Sequence, residues 1–134
     1  MTVDGIMTRE VVTVAPDTAL SDIRAQLHEG GFRHLLVLDD GALVGVISDR
    51  DVLRALSPFL DTYSEEHRDV RTLGRPAREI MRADPVTVTP GTDVEDASSL
   101  LLDHSISSLP VVEDGEIIGI VTTKDLLRHY ANEG

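Results

Sequence analysis

A gapless internal repeat constrains this chain more than any other feature. Shifting the sequence by 74 positions lays residues 6–56 on residues 80–130. Ile6-Met7 falls on Ile80-Met81, Val12-Thr13-Val14 on Val86-Thr87-Val88, Pro16 on Pro90 and Thr18 on Thr92. Asp40-Gly41 falls on Asp114-Gly115, Gly45 on Gly119, and Asp51-Val52-Leu53-Arg54 on Asp125-Leu126-Leu127-Arg128. Most other pairs are conservative, such as Val46-Ile47 against Ile120-Val121. A fixed internal period of this kind means that one supersecondary unit is used twice.

Each copy reads as β-α-β-β-α. A short apolar strand (Val11 to Val14; Val86 to Val88) runs to a proline. Thr18 or Thr92 then stands where a hydroxyl can cap a helix. Leu20, Ile23 and Leu27, and in the second copy Val94, Ala97 and Leu101, are spaced for one helical face. Asp40-Gly41 and Asp114-Gly115 signal tight hairpin turns. Leu35 to Leu38, and Leu109 with Val111-Val112, are nearly all apolar, which predicts strands buried on both faces. In the closing helices, Val52, Leu53 and Leu56, or Leu126, Leu127 and Tyr130, are expected to face inward. One copy alone is marginal for a core, so the fold class is α/β (α+β), with two pseudo-two-fold-related repeats packed through their sheets. The organisation is residues 1–56 as the first repeat, 57–79 as a connector and 80–134 as the second, in one compact module. The connector is polar and irregular: Ser57-Pro58, then Asp61 to Arg71, then Gly74-Arg75-Pro76. It is read as a loop with one extra helical turn, and Glu65, Glu66, His67 and Arg68 as a solvated surface.

Composition narrows the function. A net charge of -12 argues against nucleic acid or an anionic membrane as partner, since both require a positive surface. Eleven arginines stand against one lysine, Lys124, which fits either a high-salt host or a GC-rich genome with an ordinary acidic surface. Two phenylalanines, two tyrosines and no tryptophan leave little to stack single-stranded bases. The absence of cysteine excludes disulfides and thiolate chemistry and fits a cytoplasmic location. No apolar run approaches the ~20 residues of a membrane span, and the first residues show no leader pattern. The five histidines lack metal-ligand spacing, and no nucleophile–base pair or phosphate-binding glycine loop is present, so neither a catalytic residue nor a metal site is expected.

The residues that carry chemistry close each copy. Gly45-Val46-Ile47-Ser48-Asp49-Arg50-Asp51 matches Gly119-Ile120-Val121-Thr122-Thr123-Lys124-Asp125. A hydroxyl followed three residues later by an acid is a capping box, and capping alone would account for it. The same turn also suits a ligand: free N–H groups at a helix start favour phosphate oxygens, and a carboxylate accepts from two neighbouring ribose hydroxyls. Gly45 and Gly119 lie inside strands, where glycine marks close approach by a backbone or a ligand.

With this signature in both copies, the chain resembles a tandem CBS-domain pair, or Bateman module, over nearly its whole length. The resemblance implies AMP, ADP, ATP or another adenosyl compound such as S-adenosylmethionine as regulatory ligand, bound in two clefts between the copies, with no required cofactor. It assigns Arg33, His34, Ser48, Arg50 and Asp51 to the first cleft, with Met81, Asp84, Val86 and Ile106 as adenine walls. The second would use Ser107, Ser108, Thr122, Lys124 and Asp125, with Met7, Glu10, Val12 and Phe32 as walls. It further implies a homodimer through the helices after Ser48 and Thr122, and a regulated protein acting in trans. The copies differ where Arg33-His34 meets Ser107-Ser108, which makes the first cleft the expected phosphate site, and where Phe32 meets Ile106. Phe32 either stacks on adenine or fills space; Arg33 and Arg50 either meet phosphate or pair with nearby acids. The competing function is a structural or protein-interaction pair whose clefts take no ligand.

Overall fold

The computed structural model describes residues 1–56, 66 and 70–133 of the chain. Of the connector, Ser57, Pro58, residues 61–65, His67 and Arg68 lie outside the described residues, while Glu66 is exposed. The chain divides into two compact units, Val12–Asp84 and Met1–Val11 with Pro85–Gly134. The two crossing points, after Val11 and after Asp84, nearly follow the 74-residue shift. The leader segment that precedes each copy's first strand therefore folds with the elements of the other copy.

The unit Val12–Asp84 contains β1 (Thr13–Val14), α1 (Leu20–Gly30), β2 (His34–Asp39), β3 (Ala42–Ser48), α2 (Asp49–Ala55), α3 (Ala77–Ile80) and β4 (Arg82–Ala83). Its sheet has the order β1-β2-β3-β4. β1 runs parallel to β2, and the other two pairings are antiparallel. Leu35, Leu36 and Val37 are consecutive and all at most 1% exposed, so β2 is covered on both faces. Val14, Leu20, Ile23, Leu35, Val37, Ile47, Val52, Ala55 and Ala77 form the core. Each fully buried aliphatic side chain of this kind contributes roughly 1.5–3 kcal/mol.

The other unit repeats the plan with α4 (Val94–His104), β5 (Ser108–Glu113), β6 (Glu116–Thr122) and α5 (Thr123–Glu133). Its outer strands shrink to single bridges, Val88 beside Val111 and Thr8 beside Ile120, in the same order. Val3, Met7, Val88, Val94, Ala97, Leu101, Leu109, Val111, Val121 and Leu126 make its core. The leader is bound into it by backbone: the N–H of Val3 donates to the Thr92 carbonyl at 2.9 Å, and Thr8 and Ile120 exchange two bonds at 2.8 and 2.9 Å.

Both hairpins turn as the Asp-Gly signal predicts. Asp40 and Gly41 have φ of 50° and 82°, Asp114 and Gly115 of 52° and 80°. Two successive positive φ values match the right-handed twist of the flanking strands. A register shift follows Val37 in one hairpin and Val111 in the other, the same repeat position. The faces of α1 and α4 expected from spacing are also found: Leu20, Ile23, Val94, Ala97 and Leu101 are buried.

Three expectations need correction. Thr18 and Thr92 do not cap helices; their hydroxyls accept from the N–H of Ala15 and Thr89, closing the turns before the helices. A threonine hydroxyl satisfies a nearby turn as readily as a helix end. The first strands are shorter than their apolar runs, with β1 reduced to Thr13–Val14 and the second to the bridge at Val88. The closing helices bury Val52 and Leu126, but Leu53, Leu127 and Tyr130 are 72%, 65% and 43% exposed. Adjacent helical positions point about 100° apart, and in each closing helix the first member of the Val-Leu or Leu-Leu pair faces the core while the second, Leu53 or Leu127, faces out.

The strand glycines are explained by the leaders. A Cβ on Gly45 would lie 2.3 Å from the Met81 sulfur; one on Gly119 would lie 2.9 Å from both the Met7 sulfur and the Thr8 carbonyl oxygen. Met81 can shift its flexible end, whereas the Thr8 carbonyl is fixed by its bond to Ile120. Gly119→Ala should therefore cost about 1–3 kcal/mol, the usual range for overpacking, and more than Gly45→Ala. Urea denaturation of the two variants measures the difference, and equal costs would contradict the steric account.

Candidate functional site

The antiparallel hairpins place the polar residues at one end of each unit. In the first, His34 stands opposite Ser48, and the carbonyl of Arg33 accepts the N–H of Asp49 at 2.9 Å. In the second, Ser108 stands opposite Thr122, and the carbonyl of Ser107 accepts the N–H of Thr123 at 3.0 Å. The residues before the hairpin and those after it thus meet at the turn into the closing helix.

Each turn is a complete capping box. The Ser48 hydroxyl accepts from the N–H of Asp51 at 3.1 Å, and Asp51 Oδ2 accepts from the N–H of Ser48 at 2.9 Å. The Thr122 hydroxyl accepts from the N–H of Asp125 at 3.2 Å, and Asp125 Oδ2 accepts from the N–H of Thr122 at 2.9 Å. Asp51 and Asp125 are only 8% and 6% exposed, which is unusual for carboxylates unless they are paired. Arg50 and Lys124, one residue earlier, are exposed.

The second oxygen of each aspartate meets a leader residue. Arg82 Nε lies 3.7 Å from Asp51 Oδ1, and the Thr8 hydroxyl donates to Asp125 Oδ1 at 3.2 Å. Arg128 approaches Asp125 Oδ1 at 4.0 Å. Positions 8 and 82 are repeat-equivalent and are held by the same kind of pairing, Thr8 against Ile120 and Arg82 against Val46. Reading the sequence alone misses both residues. Their adjacency to Met7 and Met81 is the one signal that points to them.

Of the positions assigned to the first cleft, one unit brings together Arg33, His34, Ser48, Arg50, Asp51, Met81 and Asp84; Val86 and Ile106 belong to the other unit. Of those assigned to the second, Met7, Glu10, Ser107, Ser108, Thr122, Lys124 and Asp125 share a unit, and Val12 and Phe32 do not. Val86 and Ile106 pack against the core of their own unit, as Val12 does in its own. The Phe32 ring lies over Gly30 at the end of α1, where a Cβ would come within 2.4 Å of it. Among the described residues no group of histidines and acids is placed to hold a metal ion, and no helix is long and apolar enough to cross a membrane.

The sequence model of the CBS domain matches residues 3–58 and again residues 77–132. This chain belongs to the CBS domain family and carries two copies of the domain in tandem. CBS domain-containing protein YhcV of Bacillus subtilis is 31% identical over 133 residues, covering 98% of this chain and 87% of that protein. Protein MJ1225 of Methanocaldococcus jannaschii is 30% identical over 131 residues, and the chain spans about half of its length, 47%. Among solved structures, CBSX2 of Arabidopsis thaliana in complex with AMP superposes with a TM-score of 0.77 at 31% identity, covering 98% of this chain and 97% of that one.

Each cap bond runs from one residue's side chain to the other's backbone N–H, so either truncation removes one bond directly and loosens the turn geometry that the other needs. Ser48→Ala and Asp51→Ala should each cost about 0.5–2 kcal/mol, and the double variant should cost less than their sum. A thermal or urea double-mutant cycle checks this.

Proposed function

We propose that this chain is a non-catalytic regulatory module that binds an adenosyl nucleotide at its two hydroxyl–aspartate turns. One observation carries the reading. At each turn a nine-tenths buried carboxylate holds the backbone with one oxygen and meets a polar leader side chain with the other, beside an exposed cation. Such a carboxylate accepts from adjacent ribose hydroxyls, and the cations suit a phosphate. Similarity at 31% identity to a CBS pair crystallised with AMP supports the same chemistry. The first turn, with Arg33, His34, Ser48, Arg50 and Asp51, is the phosphate site in this proposal. Ser107, Ser108, Thr122, Lys124 and Asp125 form the second.

Thermal shift tests the reading. AMP, ADP, ATP or S-adenosylmethionine at 100 times Kd should add about 2.7 kcal/mol of stability. The shift with AMP should fall in Arg33→Ala; an Arg33→Ala variant that binds AMP as tightly as the parent contradicts the assignment of phosphate to this turn.

A second reading has its own support. Both aspartates are satisfied by their own chain, and both strand glycines are accounted for by Met7, Met81 and Thr8. A structural or protein-interaction pair needs nothing more. Absence of any shift across the same four compounds favours it.

The exposed Leu53 and Leu127 support the proposal of a homodimer through the outward faces of α2 and α5, from which a protein partner reads the liganded state. Leu53→Asp combined with Leu127→Asp should yield a monomer by light scattering at micromolar concentration. A parent chain that is already monomeric rejects the dimer.

A further inference from the structure

The two turns share a hydroxyl, a capping carboxylate and a cation one residue before it, but they differ at the residue laid across the carboxylate by the leader. That residue is Arg82 in one unit and Thr8 in the other. The other charge differences leave the Asp51 turn one charge more negative, since Arg33 for Ser107 adds a cation, Asp49 for Thr123 an acid, and Ala83 for Arg9 removes a cation; Arg82 for Thr8 restores equality. What distinguishes the turns is therefore the group placed on the aspartate rather than the charge around it.

We propose that the position after the leader methionine sets the ligand charge each turn selects: Arg82 makes the Asp51 turn prefer an adenosyl compound with a 5′-phosphate, and Thr8 leaves the Asp125 turn indifferent to it. The inference rests on the adenosyl reading above and deepens it. Arg82 is 49% exposed and stands 3.7 Å from a carboxylate that is 8% exposed. That separation exceeds a hydrogen bond, so the contact is an ion pair that an arriving ribose diol can replace. A guanidinium has five donors in a planar fork, no acceptor and a permanent charge. Displaced from Asp51 by the diol, it cannot bond the diol's oxygens as an acceptor, but it matches a phosphate of the same nucleotide. Thr8 behaves differently. Its hydroxyl already donates to Asp125 at 3.2 Å and keeps lone pairs that can accept from a ligand hydroxyl. It stays in the network and brings no charge of its own; the cation at that carboxylate is Arg128 of the closing helix, 4.0 Å from Oδ1, whose repeat equivalent in the other unit is Arg54.

Calorimetric titration of the whole chain with AMP and with adenosine separates the outcomes. The parent should bind AMP at least about tenfold more tightly than adenosine at one site, as one charge-assisted contact warrants. Arg82→Thr should lose that preference while adenosine affinity stays within about twofold, and Thr8→Arg should gain it at the other turn. Arg82→Gln, which keeps an unbranched stem and an N–H donor without the charge, should behave as Arg82→Thr does and guards against a folding defect. Equal weakening of AMP and adenosine in both variants would mean that Arg82 only braces the turn, and an unchanged AMP preference would mean that it does not see phosphate; either overturns the inference while leaving the adenosyl reading intact. Failure of the parent to bind either compound overturns both.

Discussion

The contact on which the rest depends is the leader strand lying against the strand that carries the glycine. It is a short pairing, one bridge at Thr8 and two residues at Arg82–Ala83, but it does three things at once. It closes the open edge of β3 and β6, where unpaired backbone groups would otherwise face solvent. It seats Met7 and Met81 over Gly119 and Gly45, contacts that no larger residue at the glycine allows. It also brings Thr8 and Arg82 onto the aspartates of the closing turns. Without the leader, each turn would be only a helix cap.

The capping box and the ligand reading are compatible because a carboxylate has two oxygens. Oδ2 of each aspartate is committed to the backbone, which fixes its rotamer and keeps it buried without an orphaned charge. Among the described residues no buried side-chain polar atom lacks a partner, so the turns are stable as they stand. A ligand then works against a preorganised acceptor, and the ordering cost has already been met in folding. The same preorganisation would serve a purely structural pair.

Much of this was legible in the residues. The 74-residue shift gave the plan, Asp40-Gly41 and Asp114-Gly115 gave the turns, and Ser48-x-x-Asp51 and Thr122-x-x-Asp125 gave the caps, because each signal acts over a few neighbours. The leader pairing was not legible. Thr8 and Asp125 are 117 positions apart, and nothing local in Met7-Thr8-Arg9 states which strand it will join. The glycines announced a close approach without saying whether a ligand or a methionine makes it. Thr18 and Thr92 offered hydroxyls that satisfy a turn or a helix equally well. Leu53 and Leu127 read as core because an apolar pair does not show which member points out, and the exposed member is where a partner surface is proposed.

The central claim is that an adenosyl ligand engages the two aspartate turns. Backbone amide NMR during titration with AMP tests it most directly. The account predicts the largest shifts at the amides of Ser48 to Val52 and of Thr122 to Leu126, with the hairpin turns at Asp40-Gly41 and Asp114-Gly115 unmoved. Saturating AMP with no shift at either turn, or with shifts confined to the hairpins, would contradict it.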